Sequence, residues 1–437
     1  MIERLRQLAP QSALIFGARL LGAGLVFVTQ AAIARVWGAG TLGDYLLIIA
    51  TVNLIAFAMP LGFNIIASYF AAEYAARGER DLQWSLFRSA YRNVALVALA
   101  VFLAGPFASS WFGEAAAAVR HVWLPAMILA VAMAMVFVNG AFLVGMKHPL
   151  AGFAADVIFR PLVMIAGVIA VMVFQQGTDH LTTLIWLAAL GYAVVAAVHA
   201  GITIRIIRRM PPLAKPAAPE PQRWWGYALP WILISIASDF YFDIDLLLLS
   251  SLMDRETLAI FGVCARVFSL IAFGIGALYA VAMPSIVEAG THKDPSKFLR
   301  KITDTNLTAA ALGLAASVAM AVVGPFLLSF FGQAFSAGAM PLAVMCLGLA
   351  VRSAMGPTSL VLTIHDRPYA SLPAVGLGLA TLVIANWLLV PGHGLMGAAL
   401  SALLSTTVWS VALWLTALRC TNTDVSIFPL MRRAARP

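Results

Sequence analysis

Arg19, Asp156, Arg160, Asp239, Asp243, Arg266 and Arg352 lie deep inside long apolar runs of a 437-residue chain. An ionised side chain in hydrocarbon costs about 2.5–3.5 kcal/mol on insertion scales, so the set would cost on the order of 20 kcal/mol if it faced lipid. A folded protein's whole margin is only about 5–15 kcal/mol. These groups must therefore face one another or a water-filled cavity. There they can do the chemistry of transport, as basic wall groups that meet a solute and as acids that pair or hold a coupling cation.

Spacing sorts them. Ser12, Arg19 and Gln30 are 7 and 11 residues apart, which leaves all three on one stripe of a helix. Ser235, Asp239 and Asp243 follow i, i+4, i+8 and form a second polar stripe. The two acids repel unless a proton, a cation or an arginine stands between them, which suits a coupling-ion site or a structural pairing across a cavity. Asp245 lies nearer the outer surface. Asp156 and Arg160 stand at i, i+4, in the order that favours a direct ion pair. Arg266 and Arg352 fit two readings, a place on the cavity wall or a snorkelling head that bonds a neighbouring carbonyl. No catalytic set and no metal site is indicated. Cys264, Cys346 and Cys420 are odd in number, and the first two fall inside apolar runs.

The elements that must position these groups are membrane helices. Hydrophobic residues make up 62% of the chain and charged residues 11%, and the mean hydropathy is +0.92, outside the range of water-soluble domains. Runs long enough to span hydrocarbon cover 12–36, 42–70, 90–108, 122–146, 150–174, 181–206, 225–249, 258–286, 302–328, 337–364, 370–390 and 395–418. Twelve spans place both termini on one side. Most of the 28 Lys and Arg fall in the N-terminus, the even-numbered connections and the tail, so those parts are expected to be cytoplasmic. The net charge of +9 is then explained by short inner loops facing anionic lipid, and nucleic-acid binding is excluded.

The chain also repeats itself. GPFASSWFG at 105–113 returns as GPFLLSFFG at 324–332, TLGDYLLIIATVNLIAF at 41–57 is echoed by TLAIFGVCARVFSLIAF at 257–273, and Lys147-His148-Pro149 matches Asp366-Arg367-Pro368. All three pairs keep nearly one offset. Between the copies, MPPLAKPAAPEPQ at 210–222 cannot continue a helix and reads as a linker. The organisation expected is an all-α membrane protein with an N-lobe at 1–209, a cytoplasmic linker at 210–222 and a C-lobe at 223–437. Six helices per lobe, related by a pseudo-twofold along the membrane normal, would enclose a central cavity. Gly105-Pro106 and Gly324-Pro325 are accounted for by packing and bending of helices.

The stretch LGDYLLIIATVNLIAFAMPLGF at 42–63, the run from Asp245 through LLLLSSLMDRETLAIFGVCARV, and the duplicated GPF phrase resemble the O-antigen type polysaccharide flippases of the multidrug/oligosaccharidyl-lipid/polysaccharide exporter superfamily. Ile260 departs from that pattern, which places Gly before the aromatic that Phe261 matches. The resemblance implies two six-helix lobes that carry an undecaprenyl-diphosphate-linked oligosaccharide across the bacterial inner membrane by alternating access, alongside other polysaccharide-assembly proteins. Arg19, Gln30, Arg160, Arg266 and Arg352 would then meet the pyrophosphate and sugar, in keeping with the bidentate affinity of guanidinium for phosphate oxygens. Asp156, Asp239, Asp243 and Asp245 would serve as cavity acids or coupling-ion ligands, with sodium or a proton in place of any organic cofactor.

Two alternatives stand beside this reading. A cation-coupled multidrug antiporter would share the fold but prefer an acidic first helix, where Arg19 stands. A membrane glycan polymerase or glycosyltransferase would need acids on a large outer loop, whereas the longest outward connection is about 14 residues around Trp111 to Arg120 and carries only Glu114, with Asp44 an outward acid near a span end. No phosphate-cradling glycine motif is present, so ATP is not expected to be used directly.

Overall fold

The computed structural model describes the backbone of residues 2–108, 115–175, 177, 179–210, 219–291, 295–365, 367–422 and 424–428, with side chains except at 2–13, 15, 106–108, 115–117, 284–291, 295–298, 360 and 364. Every regular element among them is helical, and ten of these helices are long and apolar enough to cross a membrane. The difference from twelve apolar runs arises at two places. The run 225–249 is cut into two shorter helices, and the runs 370–390 and 395–418 fall in one helical element whose two halves meet at a kink with non-helical backbone angles at Gly394. Contacts group the chain into two compact units, Met1–Leu247 and Leu248–Pro437. This boundary falls later than the lobe boundary expected at 222/223, and most of the linker at 210–222 lies outside the described residues.

The first unit runs α1 (Ile2–Trp37), α2 (Ala39–Ala58), α3 (Phe63–Arg77), α4 (Arg80–Ala108), α5 (Ala115–His121), α6 (Trp123–Gly145), α7 (Pro149–Ala154), a π-helical segment (Ala155–Phe159), α8 (Arg160–Phe174), α9 (His180–Arg209), α10 (Pro221–Asp239) and α11 (Tyr241–Leu249). Its core helix is α6, which packs against α2, α3, α4 and α9 and buries Leu129, Met133, Phe142 and Leu143 completely. The single apolar run at 42–70 is broken between α2 and α3. Pro60 starts a turn there, and Leu61 (φ 52) and Gly62 (φ 87) take left-handed backbone angles. Hydropathy does not register this break because every residue in it is apolar or small.

The start of α10 is fastened to the end of α3. Arg223 spans both Glu73 oxygens at 3.0 and 2.9 Å and reaches Glu220 at 3.0 Å. Hydrogen bonds to Glu73 and then Glu220 push the Arg223 pKa up, so the group is firmly protonated. Trp224, fully buried, donates its indole N–H to the Tyr74 hydroxyl at 2.8 Å. Above this clamp α10 crosses the Gly62 turn so closely that a β-carbon at Gly62 would run into the Ala228 carbonyl.

The second unit contains α12 (Arg255–Thr291), α13 (Pro295–Ser329), a 3-10 turn (Gln333–Gly338), α14 (Ala339–Met355), α15 (Thr358–Ile364), a second 3-10 turn (Pro368–Ser371) and α16 (Leu372–Thr421). Its core helix is α14, packed between α13, α16 and α12. The apolar run at 337–364 is interrupted at Gly356 (φ 82), and α16 is kinked at Gly394. Asp254 caps the start of α12, accepting from the backbone N–H of Thr257 at 2.9 Å and of Glu256 at 3.0 Å. The duplicated Gly-Pro phrases share one packing role. Gly105 lies against the Trp123 ring and Gly324 against Ala339, so each lets its helix approach the core helix of its own unit. Residues 109–113 of the first copy lie outside the described residues.

Candidate functional site

A cavity of about 480 Å³ opens in the first unit, walled by α1, the α2–α3 turn region, α6, α7 and the π-helical segment. Arg19, Asn64 and Asp156 are its main polar groups, and Phe57, Phe137 and Phe153 give it apolar walls. Its size is that of a site for one small ligand. Gly140 and Gly152 line it as well, at a point where α6 and α7 approach so closely that a side chain on either would meet the other's backbone.

Arg19 is exposed, and its guanidinium carbon lies 5.0 Å from the centre of the Phe153 ring. Among the described residues it forms no hydrogen bond or ion pair, so its five donors remain available. The cation–π contact fixes one face and is worth about 0.5–1 kcal/mol at an exposed site. Asp156 shares the cavity without pairing to Arg19. Its Oδ1 accepts from Arg160 Nη1 at 3.4 Å, which is the i, i+4 pair expected from sequence. The helix around it is not an α-helix, since Asp156 sits in the π-helical segment, a distortion frequent at functional sites.

Arg160 continues the network away from the cavity. Its Nη2 donates to the Asn53 side-chain oxygen, and the Asn53 amide nitrogen donates to Asp243 Oδ2 at 3.5 Å. Asp156, Arg160, Asn53 and Asp243 thus form one chain of alternating charge and amide that links the π-helical segment, α2 and α11. The side chain of Arg160 is 22% exposed, that of Asp156 40%, and Asp243 is buried.

Other expected residues fall elsewhere. The stripe Ser235, Asp239, Asp243 is not continuous. Phe240 leaves helical geometry between α10 and α11, so Asp239 is exposed at a helix end while Asp243 turns inward. Gln30 is buried on α1 with its Oε1 unpartnered among the described residues, and it does not line the cavity with Arg19. The Ser12 side chain lies outside the described residues. Asp245 is fully buried in α11. In the second unit Arg266 is half-buried along α12 and Arg352 is exposed in the last turn of α14. Asn53 and Asn64 were not singled out from sequence. The available signal was an amide inside an apolar run, which needs a partner as a charge does, though less urgently. Among the described residues no three His, Cys, Asp or Glu side chains converge to hold a metal ion.

A helical membrane fold with a polar cavity in its first unit defines the general class of a membrane transporter. The family model for polysaccharide biosynthesis proteins matches residues 9–289, well over half of the chain, and the protein belongs to that family. No curated protein matches in sequence. Solved structures match in fold over nearly the whole length. An inward-facing multidrug resistance MATE family transporter of the MOP superfamily is 15% identical with a TM-score of 0.75, covering 94% of this chain and 96% of its own. Lipid II flippase MurJ, in an inward closed conformation, is 13% identical with a TM-score of 0.72, covering 94% and 88%. A MOP superfamily transporter from Pyrococcus furiosus Vc1, described as having a binding pocket of reversed polarity, is 13% identical with a TM-score of 0.58, covering 92% and 93%.

Proposed function

We propose that this protein is a flippase that moves an undecaprenyl-diphosphate-linked oligosaccharide from the cytoplasmic to the periplasmic leaflet of a bacterial inner membrane, for surface polysaccharide assembly. In this reading the chain crosses the membrane twelve times in two six-helix lobes, with both termini and the 210–222 linker cytoplasmic. Alternating access moves the head group, a sodium ion, a proton or the membrane potential drives the cycle, and other polysaccharide-assembly proteins supply and collect the substrate.

The observation that carries the reading is Arg19, a guanidinium presented to a cavity with no ion-pair partner among the described residues. A protein bears the cost of such a charge in a membrane helix where it meets an anionic ligand, and a diphosphate offers the oxygens that a guanidinium fork grips. Membership of the polysaccharide biosynthesis family supplies the metabolic setting. Deleting the gene should leave lipid-linked sugar on the cytoplasmic leaflet, restored to normal by the wild-type chain and not by Arg19→Gln. Normal surface polysaccharide without accumulation would refute the reading.

One observation favours a second reading, a cation-coupled drug antiporter. The Asp156 carboxylate beside Phe57, Phe137 and Phe153 is a combination that also suits an organic cation. Cation-driven export of a panel of lipophilic amines by the reconstituted protein would decide for it.

A further inference from the structure

The cavity holds more than an anion site. Besides Arg19 it presents Asp156, paired through Oδ1 to Arg160 at 3.4 Å, while Oδ2 takes no partner among the described residues. It also presents Asn64, a residue only 8% exposed whose Oδ1 is unpartnered among the described residues. A buried amide oxygen without a donor is unfavourable and gains from one supplied by a ligand. The Asn64 side chain lines the cavity, where a ligand N–H or O–H is the kind of donor its amide oxygen lacks. Phe57 and Phe137 line the same cavity, in edge contact at 5.9 Å between ring centres.

The ligand complementary to this wall is bipolar. One end must be an anion, for the five donors of Arg19. The other must bring hydrogen-bond donors, because the Asp156 carboxylate, ion-paired to Arg160, only accepts and disfavours a second negative charge beside it. The space between must tolerate apolar rings. We propose that Asp156 and Asn64 form a specificity subsite that selects, among diphosphate-linked sugars, those whose diphosphate-bearing residue is neutral and offers hydroxyl or acetamido donors, and that excludes a uronic acid there. This rests on the flippase reading above and adds to it the chemistry of the group beside the diphosphate. The two residues act differently. Asn64 contributes affinity to any donor-bearing sugar, whereas Asp156 supplies the discrimination by charge.

The test uses the purified full-length protein in nanodiscs and three probes: farnesyl diphosphate, farnesyl-diphospho-N-acetylglucosamine and farnesyl-diphospho-glucuronic acid. Because the discrimination is charge repulsion at Asp156, the acetamido sugar should bind roughly tenfold or more tighter than the uronic acid. Asn64→Leu should reduce binding of the acetamido sugar and leave farnesyl diphosphate unchanged. Asp156→Asn, which keeps the shape and an acceptor for Arg160, should raise affinity for the uronic acid and narrow the gap. Equal affinity of the two sugars for the wild type, or a gap that survives both variants, overturns the specificity proposal while leaving the flippase reading intact. Failure of all three probes to bind the wild type sinks that reading and this proposal with it.

Discussion

Arg160 and Asp243, opposite charges on helices far apart in sequence, are joined by one neutral side chain. The Asn53 carbonyl oxygen accepts from Arg160, and the Asn53 amide nitrogen donates to Asp243 at 3.5 Å. An amide is suited to this place because it can donate and accept at once. It thereby ties the cavity acid Asp156, through Arg160, to the helix that begins after the break at Phe240.

Replacing Asn53 by Leu keeps much of the volume and removes both bonds. Each lost hydrogen bond to a charged group should cost about 1.5–3 kcal/mol, read as a lower unfolding midpoint in detergent. Because Arg160 is one end of the bridge, Asn53→Leu combined with Arg160→Met should lose less stability than the sum of the two single changes. Strict additivity would mean that the residues do not act together.

Arg19 should show the opposite profile. Among the described residues it makes no hydrogen bond or ion pair and stacks only on the Phe153 ring, so Arg19→Lys and Arg19→Gln should each change stability by less than about 1 kcal/mol. Transport should still fall by roughly tenfold or more in both, since a lysine keeps the charge but loses the planar fork. A lysine variant that flips substrate at the wild-type rate would show that charge alone suffices.

Gly62 and Gly78 form a controlled pair. Both have left-handed φ, 87° and 71°, but a β-carbon at Gly78 meets open space while one at Gly62 runs into the Ala228 carbonyl. Gly78→Ala should cost only the conformational term, about 1–2 kcal/mol. Gly62→Ala should cost clearly more and loosen α10 from α3, measurable as faster proteolysis near the start of α10. Equal loss in the two variants would mean that the α10 crossing is not tight.

Asp254 should give the second unit a pH dependence. Backbone hydrogen bonds from Thr257, then the Thr257 hydroxyl, hold its carboxyl below the ordinary aspartate value. A group whose pKa is depressed on folding stabilises fully above its unfolded value of about 3.9 and loses that contribution as pH falls through the lower folded value. Asp254→Ala should therefore lower the unfolding midpoint at pH 7, by about 1 kcal/mol for a lost cap, and the two proteins should converge as pH drops below 4. A gap independent of pH would show that the cap works without its charge.

Much of this molecule can be read from its residues alone, because membrane helices announce themselves by length and hydropathy. The Asp156–Arg160 pair follows from spacing, and Arg19 from its cost. What escapes is whatever hydropathy averages away. The turn at Pro60 to Gly62 hides in an apolar run, and the break at Phe240 separates Asp239 from Asp243 without a proline or glycine to mark it. Asn53 and Asn64 carry no charge and so raise no alarm among leucines and alanines, yet Asn53 makes the bridge and Asn64 reaches the cavity wall.

The π-helical turn from Ala155 to Phe159 makes the bearing of Asp156 a matter of counting. Such a turn carries a surplus residue relative to its α-helical neighbours. In an α-helix each residue advances the chain by about 100°, so removing one residue from 157–159 would swing everything before the gap, Asp156 with it, through roughly that angle relative to Arg160. The carboxylate would leave the cavity with every side chain unchanged in kind, a dependence that a scan by substitution would never uncover.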